Sequence, residues 1–248
     1  MNETVLTCRG ICKSFGEKQI LRDVSLDLHR GEVVALLGLS GVGKTTLFNV
    51  LAGVSRPDSG QVLLNGEDVT GKPGRISYMM QKDLLFEHLR VLDNAALPLV
   101  WRGRKKSEAR AEAQSYFELF GLDGTQRQYP AQLSGGMRQR AALLRTYLAS
   151  DGVALLDEPF SALDTITKGR MHDWYLDVME KIDLSTVFIT HDVNEAVELG
   201  DRVCVLKGRP GRITGVVAVD APKPRPRDFT LTEDFLRVKR QVTEALFS

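Results

Sequence analysis

Apolar positions along this chain fall into two rhythms, and together they predict alternating strands and helices. Short apolar runs at 33–37, 61–64, 75–80, 153–156, 186–189 and 203–206 have strand length. The opening segments 5–15 and 19–28 read as antiparallel strands joined at Gly16-Glu17, and Asn65-Gly66 is the dipeptide of a tight hairpin turn. Helical spacing takes over at 45–52, with Gly53 as its stop. Ser107 can cap a helix running to about Phe120 and ended by Gly121, with Ala109, Ala113, Tyr116 and Phe120 on one stripe. Met137, Ala141, Leu144 and Leu148 make a second stripe. The block 82–150 therefore reads as a helical subdomain set into a mostly parallel α/β sheet. Alternating prolines from 221 to 227 predict an extended linker, followed by a short helix over 232–247.

Composition narrows the classes. The chain has 248 residues and is 43% hydrophobic, enough for one large core or two small ones. A net charge of +1 gives no electrostatic footprint for a nucleic acid. There is no uninterrupted apolar stretch of about 18 residues, so no membrane span is expected. Residues 1–4 lack the charged and apolar regions of a signal peptide, which points to a reducing compartment. Cys8, Cys12 and Cys204 are accordingly read as ordinary strand or core thiols.

The chemistry is concentrated after the strand at 33–37. Gly38-Leu39-Ser40-Gly41-Val42-Gly43-Lys44-Thr45 fits G-x-x-x-x-G-K-[ST], with Thr46 next on the following helix. Glycines let successive N–H groups curl around phosphate oxygens, and the helix points its positive end at the same anion. Lys44 is expected to reach the β- and γ-phosphates, and Thr45 to offer its hydroxyl to Mg²⁺. A second apolar run, 153–156, delivers Asp157-Glu158 to the carboxyl edge of the sheet. Asp157 suits a magnesium ion, and Glu158 suits the attacking water. The plainer alternative is a solvated acid pair before Pro159. Ser134 with Gly135 and Gly136 reads as a capped helix start that exposes several N–H groups, either a second anion site or simply a cap.

With these pieces placed, the chain resembles an ABC transporter ATPase subunit. Leu133-Ser134-Gly135-Gly136-Met137 is similar to the family's signature, Ser161-Ala162-Leu163-Asp164 to its D-loop, and Gln81 to its Q-loop glutamine. His191 resembles the switch histidine, and Phe15 resembles the aromatic that stacks on adenine. The resemblance implies a P-loop NTPase (RecA-like) mixed sheet, with the antiparallel β part at the N-terminus. It divides the chain into an ABC ATPase domain over 1–220 (core 1–81 and 151–220, helical subdomain 82–150) and a tail over 221–248. It implies ATP and Mg²⁺ as ligands. Lys44, Gln81, Glu158 and His191 would act in catalysis, Gln81 also touching magnesium with Thr45 and Asp157. Ser134, Gly135 and Gly136 would serve the ATP of a second subunit in a head-to-tail dimer. Plainer roles stay open: Phe15 packed inward, Gln81 capping a turn, His191 in the core, Asp164 as a helix N-cap.

The family's partner is a membrane permease, and the matching docking segment runs from Gln81 to Asn94, where some apolar residues can be core and others exposed. A solute-binding protein would act indirectly, and the subunit would sit peripherally on the cytoplasmic face of the inner or plasma membrane. Residues 92–99, Met137 and 209–213 resemble the nitrate, taurine and sulfonate importers. Phe86-Glu87-His88-Leu89 departs from that group's pattern, as Leu39 and Val42 depart from the usual loop residues. The alternative is a cytosolic ABC ATPase serving lipoprotein release, cell division or cluster assembly. His29, His88, His172 and the tail receive no role.

Overall fold

The two faces of a single strand explain the layering. In β3 (Val33–Leu37) every residue is buried. Successive side chains point to opposite sides of the sheet. Val33, Ala35 and Leu37 enter one hydrophobic cluster, and Val34 and Leu36 enter the other. The strands β7 (Val153–Asp157) and β8 (Ser185–Thr190) split in the same way, Leu156 and Phe188 to one side, Leu155 and Val187 to the other. A strand buried on both faces reads as a continuous apolar run, as these do.

This structure, a computed structural model, describes residues 3–221, 225–226 and 228–247. A six-stranded sheet has the order β10-β9-β3-β8-β7-β6, with β6 (Ser77–Met79), β9 (Arg202–Lys207) and β10 (Arg212–Ala218) completing it. All neighbours are parallel except β10, which is antiparallel to β9. A four-stranded antiparallel sheet has the order β2-β1-β4-β5, built from β1 (Thr4–Phe15), β2 (Lys18–His29), β4 (Ser59–Leu64) and β5 (Glu67–Asp68). The helix α1 (Lys44–Leu51) packs between the two sheets. The opposite face is covered by α2 (Val91–Trp101), α3 (Lys106–Ser115), α4 (Gly135–Ala149), α5 (Thr165–Met179), α6 (Val193–Leu199) and α7 (Glu233–Phe247).

Both expected hairpins form. Phe15 pairs with Lys18 around Gly16-Glu17. Leu64 pairs with Glu67 around Asn65-Gly66, whose φ values of 49° and 81° are those of a tight hairpin turn. Gly53 follows α1 at φ 71°, where an added Cβ would collide with the backbone of Lys72.

The helix expected over 107–120 is shorter and begins earlier. It starts at Lys106 without a side-chain cap, so Ser107 lies inside it. It stops at Ser115, because Tyr116 N and Phe117 N turn to carbonyls three residues back, Ala113 and Gln114. Phe117 and Phe120 both lie in the core beyond this helix end, so the apolar stripe outlasts the helix. The strand expected over 75–80 contracts to Ser77–Met79, and β10 has no counterpart among the strands expected from the sequence. The tail helix forms over Glu233–Phe247, with Thr232 Oγ1 accepting from Phe235 N at 3.2 Å. The proline-rich linker falls largely on 222–224 and 227, outside the described residues. Cys8 and Cys204 are buried and all three thiols are free. Among the described residues no helix is long and apolar enough to cross a membrane.

Candidate functional site

β3 runs directly into the glycine-rich loop 38–45, and α1 leaves it. Gly43 takes φ 111° at the helix N-cap, a left-handed conformation, and an added Cβ would lie 2.8 Å from Leu21. No side chain caps α1, so its first N–H groups remain directed into the loop. Lys44 is buried at 7% exposure, and its Nζ donates to Gly38 O at 2.7 Å and Leu39 O at 3.1 Å. Burial lowers the pKa of this ammonium, and the charges of Glu158 and Asp157 pull it partly back.

β7 lies two strands from β3 and ends at Asp157. That carboxylate is 6% exposed, and its Oδ2 accepts from Thr45 Oγ1 at 3.3 Å and Tyr78 OH at 3.1 Å. Burial raises its pKa, and the two hydroxyl donors counter that. Tyr78 itself is pushed up by burial and by the Asp157 charge. Sequence reasoning misses Tyr78. A lone phenol inside an apolar strand is its signal, but the pairing of β6 with β7 is needed to show where it points.

Glu158 breaks from the strand. Its φ of 47° is left-handed for a residue with a side chain, a conformation that costs roughly 1–3 kcal/mol. The turn is held by Glu158 N donating to Ile189 O at 3.1 Å, and by Ser161 donating to Glu158 O from N at 3.2 Å and from Oγ at 3.0 Å. Turned this way, the Glu158 carboxylate lies between two side chains from other strands. Oε2 accepts from Gln81 Nε2 at 3.2 Å, and Oε1 lies 3.2 Å from His191 Nδ1. His191 stands at the end of β8, 57% exposed, so it is no core histidine.

Ser134, Asp164 and Phe15 have other side-chain partners. Ser134 caps α4, its hydroxyl accepting from Met137 N at 3.3 Å. A Cβ on Gly135 or Gly136 would meet Leu163, Thr167 and Met171 of the α5 region at 3.5–3.7 Å, in ordinary contact. Neither glycine's neighbours come from the loop 38–45. Asp164 does cap α5, accepting from Ile166 N and Thr167 N at 3.1 Å. Phe15 is 57% exposed at the end of β1, with Lys13 Nζ 5.2 Å from its ring centre.

These features coincide with one family. The ABC transporter family model matches residues 21–161. The chain belongs to the ABC transporter family. The formylaminopyrimidine import ATP-binding protein ThiZ of Halalkalibacterium halodurans is 41% identical over 86% of this chain and 83% of its own length. The sulfate/thiosulfate import ATP-binding protein CysA of Burkholderia mallei is 43% identical over 90% of this chain, which spans 65% of that relative. A bacterial ABC transporter cassette, MJ0796, solved as a dimer, superposes with a TM-score of 0.74 at 26% identity, over 88% of this chain and all of that one. The protein is thus an ABC cassette with the P-loop NTPase fold, and it binds and hydrolyses ATP.

In this ABC cassette the segment 81–94 is part core and part exposed, with Leu89 and Leu92 half-buried. Leu85 and Val91 are core. Leu84, Phe86 and Met80 are exposed, and Trp101 of α2 meets Phe86 edge-on at 6.3 Å. The fully buried Asn94 holds the loop. It accepts from Phe86 N at 2.7 Å and donates to the carbonyls of Phe86, Leu89 and Arg90 at 3.1–3.3 Å. Arg138, just inside α4, pairs with both oxygens of Asp83 at 2.9 and 3.0 Å and with Glu87 at 2.7 Å. The exposed apolar segment is therefore braced against the helix that Ser134 caps.

Proposed function

We propose that this cassette is the ATP-hydrolysing subunit of an importer, working as a dimer beneath a separate membrane permease. The observation that carries it is the Glu158 carboxylate, turned by a strained backbone and held between Gln81 and His191. Glu158 orients and polarises the attacking water, and His191 and Lys44 hold γ-phosphate oxygens. Gly38 to Thr46 cradle the phosphates, and the exposed Phe15 stacks on the base. The donors Thr45 Oγ1, Asp157 and the Gln81 amide oxygen are hard oxygens that fit Mg²⁺, which when bound would neutralise phosphate charge.

Ser134, Gly135 and Gly136, whose neighbours are Met137 and the α5 region, are assigned to the ATP of the partner cassette. The exposed Leu84, Phe86 and Trp101 support a surface that receives the permease, with the subunit peripheral at the cytoplasmic face of the membrane. The import direction is supported by the similarity to import ATP-binding proteins. A small anionic solute, sulfonate- or nitrate-like, is supported by the sulfate/thiosulfate relative and by residues 92–99 and 209–213. The ATPase part is tested with Glu158→Gln. Turnover falls roughly 10²–10⁴-fold, and gel filtration with ATP shows a dimer. Hydrolysis at the parent rate refutes the assignment. The transport part is tested by purifying the tagged chain from gently solubilised membranes. A polytopic protein that is lost with Phe86→Asp supports the permease, whereas a partner indifferent to Phe86→Asp, or a soluble one, refutes it.

A further inference from the structure

Two helices that start beside the site are locked together by half-buried and buried charges. α5 begins just after its N-cap, Asp164. α6 begins immediately after His191 and is capped by Asp192, whose Oδ1 accepts from Asn194 N at 2.8 Å and Glu195 N at 3.4 Å. One turn into α5, Lys168 Nζ reaches Asp192 Oδ2 at 3.0 Å and Glu195 Oε2 at 2.6 Å. Glu195 is 3% exposed, and a carboxylate so buried requires a cation. His172, a turn further along α5, adds a second cross-link to α6 through Glu198, 2.8 Å away. At the far end of α6, Arg225 of the tail donates to Glu198 O at 2.5 Å and Gly200 O at 2.6 Å.

The backbone that carries His191 is held on one side by β8, which ends at Thr190, and on the other by this lock. Its imidazole is mostly exposed, and its ring contact is with Glu158 Oε1. Its position therefore rests on the backbone that carries it. One peptide bond away, Asp192 ties that backbone to α5 through Lys168. We propose that Lys168 is a positioning residue for ATP hydrolysis, fixing His191 against Glu158 through its ion pair with Asp192. The proposal rests on the roles given above to Glu158 and His191. It also links the D-loop to the switch histidine within one chain, because Lys168 lies one turn beyond Asp164 and its N–H donates to Asp164 O at 2.8 Å.

The test measures steady-state and single-turnover ATPase rates of the full chain. Lys168→Met keeps the aliphatic stem and removes the charge, and Lys168→Arg keeps the charge. Asp192→Asn keeps a good N-cap and removes the ion pair. Misplacing a catalytic group by about 1 Å costs up to about 10²-fold, so Lys168→Met and Asp192→Asn each lower kcat by about tenfold or more, with KM for ATP within about twofold. Lys168→Arg restores most of the rate. In a His191→Ala background, Lys168→Met lowers the single-turnover rate no further. The proposal is overturned if kcat is unchanged in Lys168→Met. It is equally overturned if the loss persists undiminished without His191, or if kcat and KM deteriorate together and arginine fails to rescue. Should Lys168→Met fail to fold, Asp192→Asn decides the matter by the same criteria. Glu158→Gln is run alongside. If it hydrolyses at the parent rate, the reading of the site fails; if it is inactive while Lys168→Met is fully active, only the present proposal fails.

Discussion

His172 gives this fold a stability term that varies with pH. The imidazole sits between α5 and α6 at 5% exposure, with its Nδ1 2.8 Å from Glu198 Oε2 and its Nε2 3.7 Å from Glu195 Oε2. Phe160 covers one side, edge-on at 5.0 Å. Other charges near it are Lys168 on α5, which shares Glu195, and Arg225, bound to the Glu198 carbonyl. Burial alone would push the imidazole pKa down, but the two carboxylates outweigh it and raise it from 6.5 to about 9. A group raised in the folded state binds its proton more tightly there than in the unfolded chain. Its contribution is complete below about pH 6.5 and is lost as pH rises through about 9. That gap corresponds to at most roughly 3 kcal/mol, and competition from Lys168 for Glu195 brings about 2 kcal/mol into reach. For a chain of this size that is a melting shift of roughly 4–8 °C. The assay compares thermal melts of the wild type and His172→Gln from about pH 6 to about pH 9.5. Glutamine also changes packing and hydrogen bonds, so the pH-dependent difference is the quantity that matters. The wild-type advantage shrinks across that window; a difference that is flat with pH refutes the assignment of a proton to His172 at neutral pH.

Two further predictions concern residues that hold the site from behind. Tyr78→Phe removes a donor from the buried Asp157, a loss of about 1 kcal/mol, and leaves that carboxylate easier to protonate. The Mg²⁺ concentration for half-maximal ATPase rises several-fold, and the melting temperature falls by roughly 2–4 °C; an unchanged magnesium titration counts against Asp157 as a metal-facing group. Asn94→Ala strips the loop 86–90 of its internal anchor and leaves buried backbone groups unpaired, at a cost of about 2–4 kcal/mol. Urea unfolding measures it, and a loss below about 0.5 kcal/mol refutes the bracing role.

Much of the fold is legible in the sequence because the central strands are buried on both faces, and such strands show as unbroken apolar runs. The hairpin turns are legible from two dipeptides whose backbone needs are local. The error at 107–120 has a local cause too. The apolar spacing continues past Ser115, but the Tyr116 and Phe117 N–H groups bond three residues back rather than four, so the helix ends while the stripe goes on. β10 escapes notice because its side chains alternate between exposed and half-buried, leaving a weak apolar signal. In the candidate site, the residues that belong to a contiguous pattern can be found in the sequence. Those that act across a sheet or between helices cannot: Tyr78 reaches Asp157 across 79 positions, and Lys168 reaches Asp192 across 24.

Asp157 and Glu158 show why adjacency in sequence says little about shared duty. Asp157 completes a strand, so its side chain is delivered to a fixed, buried place where two hydroxyls already wait. Its raised pKa makes a compensating cation favourable there. Glu158 would continue the strand if its φ were ordinary. The left-handed turn instead moves its carboxylate between Gln81 and His191, each delivered by a different β-strand's end. On the proposed reading, the strain at Glu158 is tolerated because neighbours on three segments fix it: Ile189 O, Ser161 and the flanking side chains. Relieving the turn would then leave Asp157 and the loop 38–45 in place while removing the polarised water. On that reading ATP binding rests on a strand and a helix N-terminus, and ATP hydrolysis depends in addition on the strained Glu158 and the side chains that flank it.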